Sequence, residues 1–252
     1  MYRLATVILT VFLLLLGGCL PRVSPNQSAT NKLLVFPGGW IDGRWVHLAE
    51  DVYSLPATPR DADANGKVIG VIYAYSWQRY LTGQLDYEAT LPYPAVSLHA
   101  RPAWVVVLER GLYTEASGWL DYPALDAVNT KMGLFWVNDE GLWQGAQQLV
   151  EGRFRRVLAL ENRILALSQE SGVYWPGEEV INLPSDWSAA DAAADLYLLT
   201  PTGLLRYDPA GYELGFYPGS FSDLAVAENG DVWLATDDGR VVHLTAELEE
   251  AW

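Results

Sequence analysis

Leu134-Phe135-Trp136-Val137-Asn138-Asp139-Glu140-Gly141-Leu142-Trp143 holds two apolar runs separated by a polar turn that ends in glycine. The same layout returns from Ile164-Leu165-Ala166-Leu167 to Gly172-Val173-Tyr174 and from Leu196-Tyr197-Leu198-Leu199 to Gly203-Leu204-Leu205. Trp104 to Val107 with Gly111-Leu112-Tyr113, Val232 to Ala235 with Gly239-Arg240-Val241, and Leu33 to Phe36 with Gly43-Arg44-Trp45 extend it in both directions. Glycines 111, 141, 172, 203 and 239 stand 30, 31, 31 and 36 residues apart. A period of this size marks a repeat architecture. Between Gly43 and Gly111 there is room for two units, and Val68 to Ile72 followed by Trp77 to Leu81 fills the gap without the glycine, giving seven units.

Two further markers keep the same phase. An apolar or aromatic residue followed by proline closes units at Leu55-Pro56, Leu91-Pro92, Tyr122-Pro123, Leu183-Pro184 and Tyr217-Pro218, and proline belongs at strand ends because it lacks the ladder donor. Asn65-Gly66 and Asn229-Gly230 precede first runs and are hairpin turn signals. Each unit thus offers four short strands, a to d. In a sandwich each strand has one wet face and alternates, whereas Trp104 to Leu108 and Leu196 to Leu199 are apolar at every position. Both faces must be covered, as they are in a blade packed between two others. The expectation is an all-β chain forming a single β-propeller over 32–252, with seven four-stranded blades. Six is the alternative count, since the unit is shorter than the WD40 period of about 40 to 45.

With 16 basic residues against 31 acidic ones the formal net charge is -15, so the long-range field repels phosphate backbones and nucleic acid is excluded as a partner. Residues 1–18 read as a secretory signal: Arg3 is followed by an apolar run from Leu4 to Leu16 and then Gly17-Gly18, too short to span a bilayer. Leu16-Gly17-Gly18-Cys19 resembles the lipobox of bacterial lipoproteins, and the resemblance implies acylation of Cys19, the sole cysteine, and an extracytoplasmic, membrane-anchored protein. Residues 19–31, polar with Pro21 and Pro25, read as a tether.

Asp231-Val232-Trp233-Leu234-Ala235-Thr236-Asp237-Asp238-Gly239 and Leu204-Leu205-Arg206-Tyr207-Asp208-Pro209 resemble the repeat of two-component-regulator-type propellers. That family implies a propeller and supplies no catalytic residue. The glycine missing near Trp77 departs from its pattern.

Catalytic motifs are absent: there is no Gly-x-Ser-x-Gly, no phosphate-cradling glycine loop and no His-Glu-x-x-His. His47 and His243 each follow their turn glycine by four residues in the first and last units. Equivalent positions point the same way around a ring, so one is expected at the shared interface and the other away from it. Asp61-Ala62-Asp63-Ala64-Asn65-Gly66 matches the opening of a calcium loop but lacks its closing acid, since the twelfth position is Ile72. No cofactor is expected, and calcium at Asp61, Asp63 and Asn65 is the one candidate.

Charge is sorted by loop. The b-to-c turns carry Asp42, Glu109, Asp139, Glu140, Glu170, Asp237 and Asp238, and the a-to-b turns carry Lys67, Arg101, Lys131 and Arg163. Strand direction places the two sets at opposite ends of the blades. The d-to-a connections join the acidic end and add Tyr93, Tyr122, Trp187 and Tyr217, and an acidic face with aromatic platforms suits cationic groups, peptides or sugars. The expected function is a monomeric, lipid-anchored propeller that binds an envelope protein, peptide or glycan through this rim. The alternative is a metal-dependent hydrolase or lyase whose inner strands present His99, Asp126 and Glu161 to the central channel, against which Ala189 to Ala194 offers little beyond Asp191.

Overall fold

The computed structural model describes residues 33 to 251, apart from 161 and 178. All regular elements there are β-strands, arranged as seven antiparallel sheets that follow one another along the chain. Their innermost strands are Leu34–Phe36, Asp61–Asn65, Ala95–His99, Asp126–Thr130, Arg156–Leu160, Ala189–Ala192 and Phe221–Val226. Each packs against the next and the seventh packs against the first, closing a seven-bladed propeller. Six blades have four strands. The seventh has three, with one bridge from Leu244 to Glu250 and a bond from Ala251 N to the His243 carbonyl where a fourth would begin.

Burial follows from this stacking. Second strands lie between two neighbouring blades, so Val105–Leu108 and Leu196–Thr200 are buried at every position. Outer strands are wet, and Gln84–Thr90 buries only Ala89. The core is therefore a series of slabs between blades. One joins Leu165, Leu167 and Tyr174 of blade 5 to Leu196, Leu198 and Tyr207 of blade 6.

A Cβ at Gly239 would meet nothing within 4 Å, but at Gly111, Gly141 and Gly203 the repeated glycine has a steric cause. It opens the third strand where the outer strand crosses closely, and a Cβ at Gly111 or Gly141 would sit 2.3 or 2.4 Å from the carbonyl oxygen of Leu120 or Val150. The turn it ends is closed by a backbone bond three residues back, Leu108 N to Gly111 O and Asn138 N to Gly141 O. In blade 2 the same bond runs from Tyr73 N to Ser76 O, so Ser76 holds the place of the missing glycine. In blade 5 it runs from Ser168 N to Ser171 O, so Gly172 stands one residue past that place.

Candidate functional site

The inner strands enclose a channel of about 780 Å³ along the ring axis. A recurring carboxylate latch builds its wall. An aspartate on the innermost strand of one blade accepts the backbone N–H of the next blade's innermost strand: Asp61 from Leu98 at 2.9 Å, Asp126 from Val157 at 2.9 Å, Asp191 from Val226 at 2.8 Å, and Asp223 from Val35 at 3.2 Å. Asp63 adds a bond from Ala100 N at 2.7 Å. Such charge-assisted bonds contribute about 1.5–3 kcal/mol each, and they supply between sheets the hydrogen bonding that sheets supply within themselves.

Arg101, just past the innermost strand of blade 3, reaches across the lumen. Its Nη1 donates to the Val226 carbonyl of blade 7 at 2.5 Å, and its Nη2 lies 3.1 Å from Asp191 Oδ2 of blade 6. Asp126 is enclosed by His99 Nε2 at 2.7 Å and Arg156 Nε at 3.5 Å. Burial alone would raise the Asp126 pKa, but Arg156, His99 and the Val157 amide hold it below the usual carboxylate value. Asp63 goes the other way: burial raises its pKa, Arg101 opposes, and Asp191 adds to the rise.

The structure thus brings His99 and Asp126 into contact, while Glu161 lies outside the described residues. Among the described residues no group of three or more His, Cys, Asp or Glu side chains is placed to hold a metal ion. Asp61 to Asn65 form a strand paired with Val68–Ile72, with Gly66 at φ +61° in the hairpin turn. Asp61 and Asp63 therefore hold the ring together from a strand, where a calcium loop would wrap them round a cation.

All seven acids of the b-to-c turns are exposed, and the strand order puts them at one end of the ring. Asp238 pairs with Arg240 at 2.9 Å, and Asp237 accepts from Ser220. The four aromatics are half-buried and engaged. Tyr93 stands 5.6 Å from Trp119 and under Arg110. Tyr122 stacks on Trp136, which stacks on Trp143, within the slab between blades 3 and 4. Trp187 donates to the Gln169 carbonyl and lines the channel. Tyr217 lies within the outer strand Glu213–Pro218, not in a connection, and donates to Glu250. Sequence reading missed Trp45 and Tyr75, both about half exposed at the same end. The signal was present, since Trp45 follows the blade 1 turn and Tyr75 lies in the blade 2 turn.

His47 and His243 depart from expectation. His47 stacks on Trp40 and His243 on Trp233, and both tryptophans pack on the slab between blades 7 and 1. The b-to-c turn has two residues in blade 1 and is longer in blade 7, where Thr236 N bonds to Arg240 O. A count of four from the glycine therefore lands on opposite faces, and both histidines flank the shared interface.

No protein-family model matches the chain, and no curated protein matches it in sequence. Solved structures match through the fold. PorZ, described as an essential bacterial surface component of the type-IX secretion system of Porphyromonas gingivalis, superposes with a TM-score of 0.65 at 9% identity over 88% of this chain and 37% of that one. BamB from Moraxella catarrhalis gives 0.54 at 12% identity over 85% and 83%. Virginiamycin B lyase from Staphylococcus aureus gives 0.55 at 12% over 77% and 83%. Identities this low carry the β-propeller fold alone.

Proposed function

We propose that the protein is a lipid-anchored, extracytoplasmic bacterial propeller that serves as a binding or scaffold module, taking an envelope protein, peptide or glycan on its acidic end. The observation that carries this reading is the exposure of all seven b-to-c turn acids at one end of the ring. Trp45 and Tyr75 beside them supply apolar area at little entropic cost, and Tyr93 with Trp119 adds a paired platform. The fold is shared with a bacterial surface component, PorZ, and the anchor rests on the sequence around Cys19.

The test is capture from an envelope extract by two charge-reversed variants side by side. Changing Glu109, Asp139, Glu140 and Asp237 to Lys abolishes capture with little change in melting temperature, since exposed charges contribute about 0–1 kcal/mol each. Changing Lys67, Lys131 and Arg163 to Glu leaves capture intact. Equal recovery by both variants defeats the reading. The anchor is tested separately by mass spectrometry of the mature N-terminus: a diacylated or triacylated Cys19 is expected, and Cys19→Ser leaves the chain unprocessed.

A further inference from the structure

Three backbone hydrogen bonds tie the turns of blades 2 and 3 together at the end of the ring that carries the b-to-c turns. The Tyr75 carbonyl accepts Leu91 N, the Ala74 carbonyl accepts Ala95 N, and the Pro94 carbonyl accepts Glu109 N, each at 2.9 Å. The connection between the two blades is thus pinned on both sides, and Tyr93 in the middle of it rests on the apolar slab between them. Trp119, on the outer strand Gly118–Leu120, leans over the blade 3 turn. Its Nε1 donates to the Arg110 carbonyl at 3.1 Å, and its ring centre lies 5.6 Å from that of Tyr93. Gly111 leaves it the room, since a Cβ there would lie 2.6 Å from Trp119 Nε1. Tyr75, Tyr93 and Trp119 therefore follow one another across two blades on tied backbone, and Tyr75 and Trp119 remain 57% and 39% exposed. The Arg110 guanidinium lies 5.7 Å from the Tyr93 ring centre and 3.5 Å from Asp121, and both charged side chains are 61% exposed.

We propose that this row of rings binds a neutral glycan chain, with pyranose rings stacked on Tyr75 and Trp119 and hydroxyls bonded at the edge to Arg110 and Asp121. A pyranose has apolar C–H faces and a polar rim, and the row offers the complement: flat aromatic faces edged by a donor and an acceptor. Charge selects the class. Arg110 and Asp121 offset one another, and most of the acids that suit a cationic partner, Asp139, Glu140, Glu170, Asp237 and Asp238, stand on blades 4, 5 and 7. Shape points the same way. An apolar peptide side chain anchors by filling a pocket, and the channel takes in none of these rings. Rings carried on fixed backbone lose little freedom on binding, so a flat, exposed platform is enough for a ligand that is itself flat-sided. The proposal deepens the reading of this end as the binding face and rests on it, but it draws on rings where that reading draws on acids.

The test is isothermal titration of the full chain in detergent with cellohexaose, N-acetylchitohexaose and maltohexaose, and with pentalysine as a cationic peptide. At least one hexasaccharide binds with a Kd of about 1 mM or below. It binds at least about tenfold more tightly than its own disaccharide, because a longer chain meets more than one ring. Trp119→Ala and Tyr75→Ala each weaken that hexasaccharide about fivefold or more. Tyr212→Ala removes an exposed ring from the blade 6 turn at the other end and leaves binding unchanged. Melting curves confirm that each variant is folded, and the more exposed Tyr75 carries the test if Trp119→Ala does not fold. No binding of any of the three hexasaccharides at about 10 mM overturns the proposal, as does affinity equal to the disaccharide's or unchanged by Tyr75→Ala. Pentalysine bound where no hexasaccharide is bound also overturns it, in favour of a cationic peptide. Loss of capture by the charge-reversed rim with no glycan bound leaves the acidic face standing while the glycan falls, so the two readings fail separately.

Discussion

Asp126 and Asp63 stand in the same ring of inner strands and titrate in opposite directions, because their neighbours differ in sign. Asp126 has Arg156, His99 and the Val157 amide against it and a pKa held below the ordinary value; Asp63 has Asp191 within its field and a pKa raised by burial. The linkage signs are therefore opposite. A carboxylate with a depressed folded pKa contributes stability that is present above its unfolded value, about 3.9, and lost as pH falls through the folded one. One with a raised pKa opposes folding when ionised, and that cost is relieved as pH falls. Asp126→Asn should lower stability at pH 7 by about 3 kcal/mol, since it leaves Arg156 and His99 facing a neutral amide in a buried site. It should also flatten the loss of stability below about pH 4. Asp63→Asn should cost less than Asp126→Asn, about 1 kcal/mol at pH 7, because no ionised acid is then buried, although the amide oxygen replaces only one of the two bonds that the carboxylate accepts from Ala100 N and Ala64 N. Urea melts at pH 7 and pH 3 check both, and equal costs for the two variants would show that the surrounding charges do not govern these carboxylates.

Legibility in the sequence divides cleanly at the level of strands and turns. The repeat was readable because second strands covered on both faces are apolar in most blades, and because proline sits where ladders end. In blade 1 the apolar run from Leu33 to Phe36 proves to hold the innermost strand, and the second strand is Gly39–Asp42, which ends in an exposed aspartate. The acidic end was readable because turn type alternates with strand direction. What escaped depends on contacts between blades. The latches join carboxylates to backbone amides 31 to 37 residues away, or 188 where Asp223 closes the ring onto Val35, and an amide leaves no trace in residue type, although aspartate near the head of inner strands at 61, 126, 191 and 223 was the available hint. Tyr122 passed for a rim platform because its stack on Trp136 joins two blades. Evenly spaced glycines hid a one-residue change of phase at Gly172, and turn length hid the facing of His47 and His243. The steric origin of the glycine gives a prediction. Gly141→Ala places a Cβ 2.4 Å from the Val150 carbonyl oxygen and should cost about 3 kcal/mol. Gly66→Ala meets nothing within 4 Å and only bears a φ of +61°, so about 1–2 kcal/mol is expected. Chemical melts that rank Gly66→Ala as the more damaging would refute the close-approach explanation.

For the molecule as a whole, stability depends on closure, and closure here is made by inner strands and side chains rather than by a shared outer blade. Blade 7 is built from residues 221 onward, and its contacts reach both neighbours. Val226, Val232 and Leu234 cover Tyr197, Leu199 and Leu204 of blade 6, while Ala225 and Ala235 cover Leu33 and Val35 of blade 1. Asp223 takes the Val35 amide, the Val226 amide satisfies Asp191, and the Val226 carbonyl holds the Arg101 guanidinium from across the lumen. Deleting residues from Phe221 onward therefore uncovers two apolar slabs and breaks a crossing at the axis. Fully burying one large apolar side chain is worth about 1.5–3 kcal/mol, so uncovering Tyr197, Leu199 and Leu204 alone removes about 5 kcal/mol or more. A domain holds only about 5–15 kcal/mol in total. An open solenoid, stabilised by nearest-neighbour interfaces, would lose one interface to such a cut and keep the rest; a ring loses two interfaces and its closure together. The truncated chain should show no cooperative urea transition and no fixed near-ultraviolet circular dichroism. A monomeric truncation that melts cooperatively within a few kcal/mol of the intact protein would mean that the first six blades stand without the seventh.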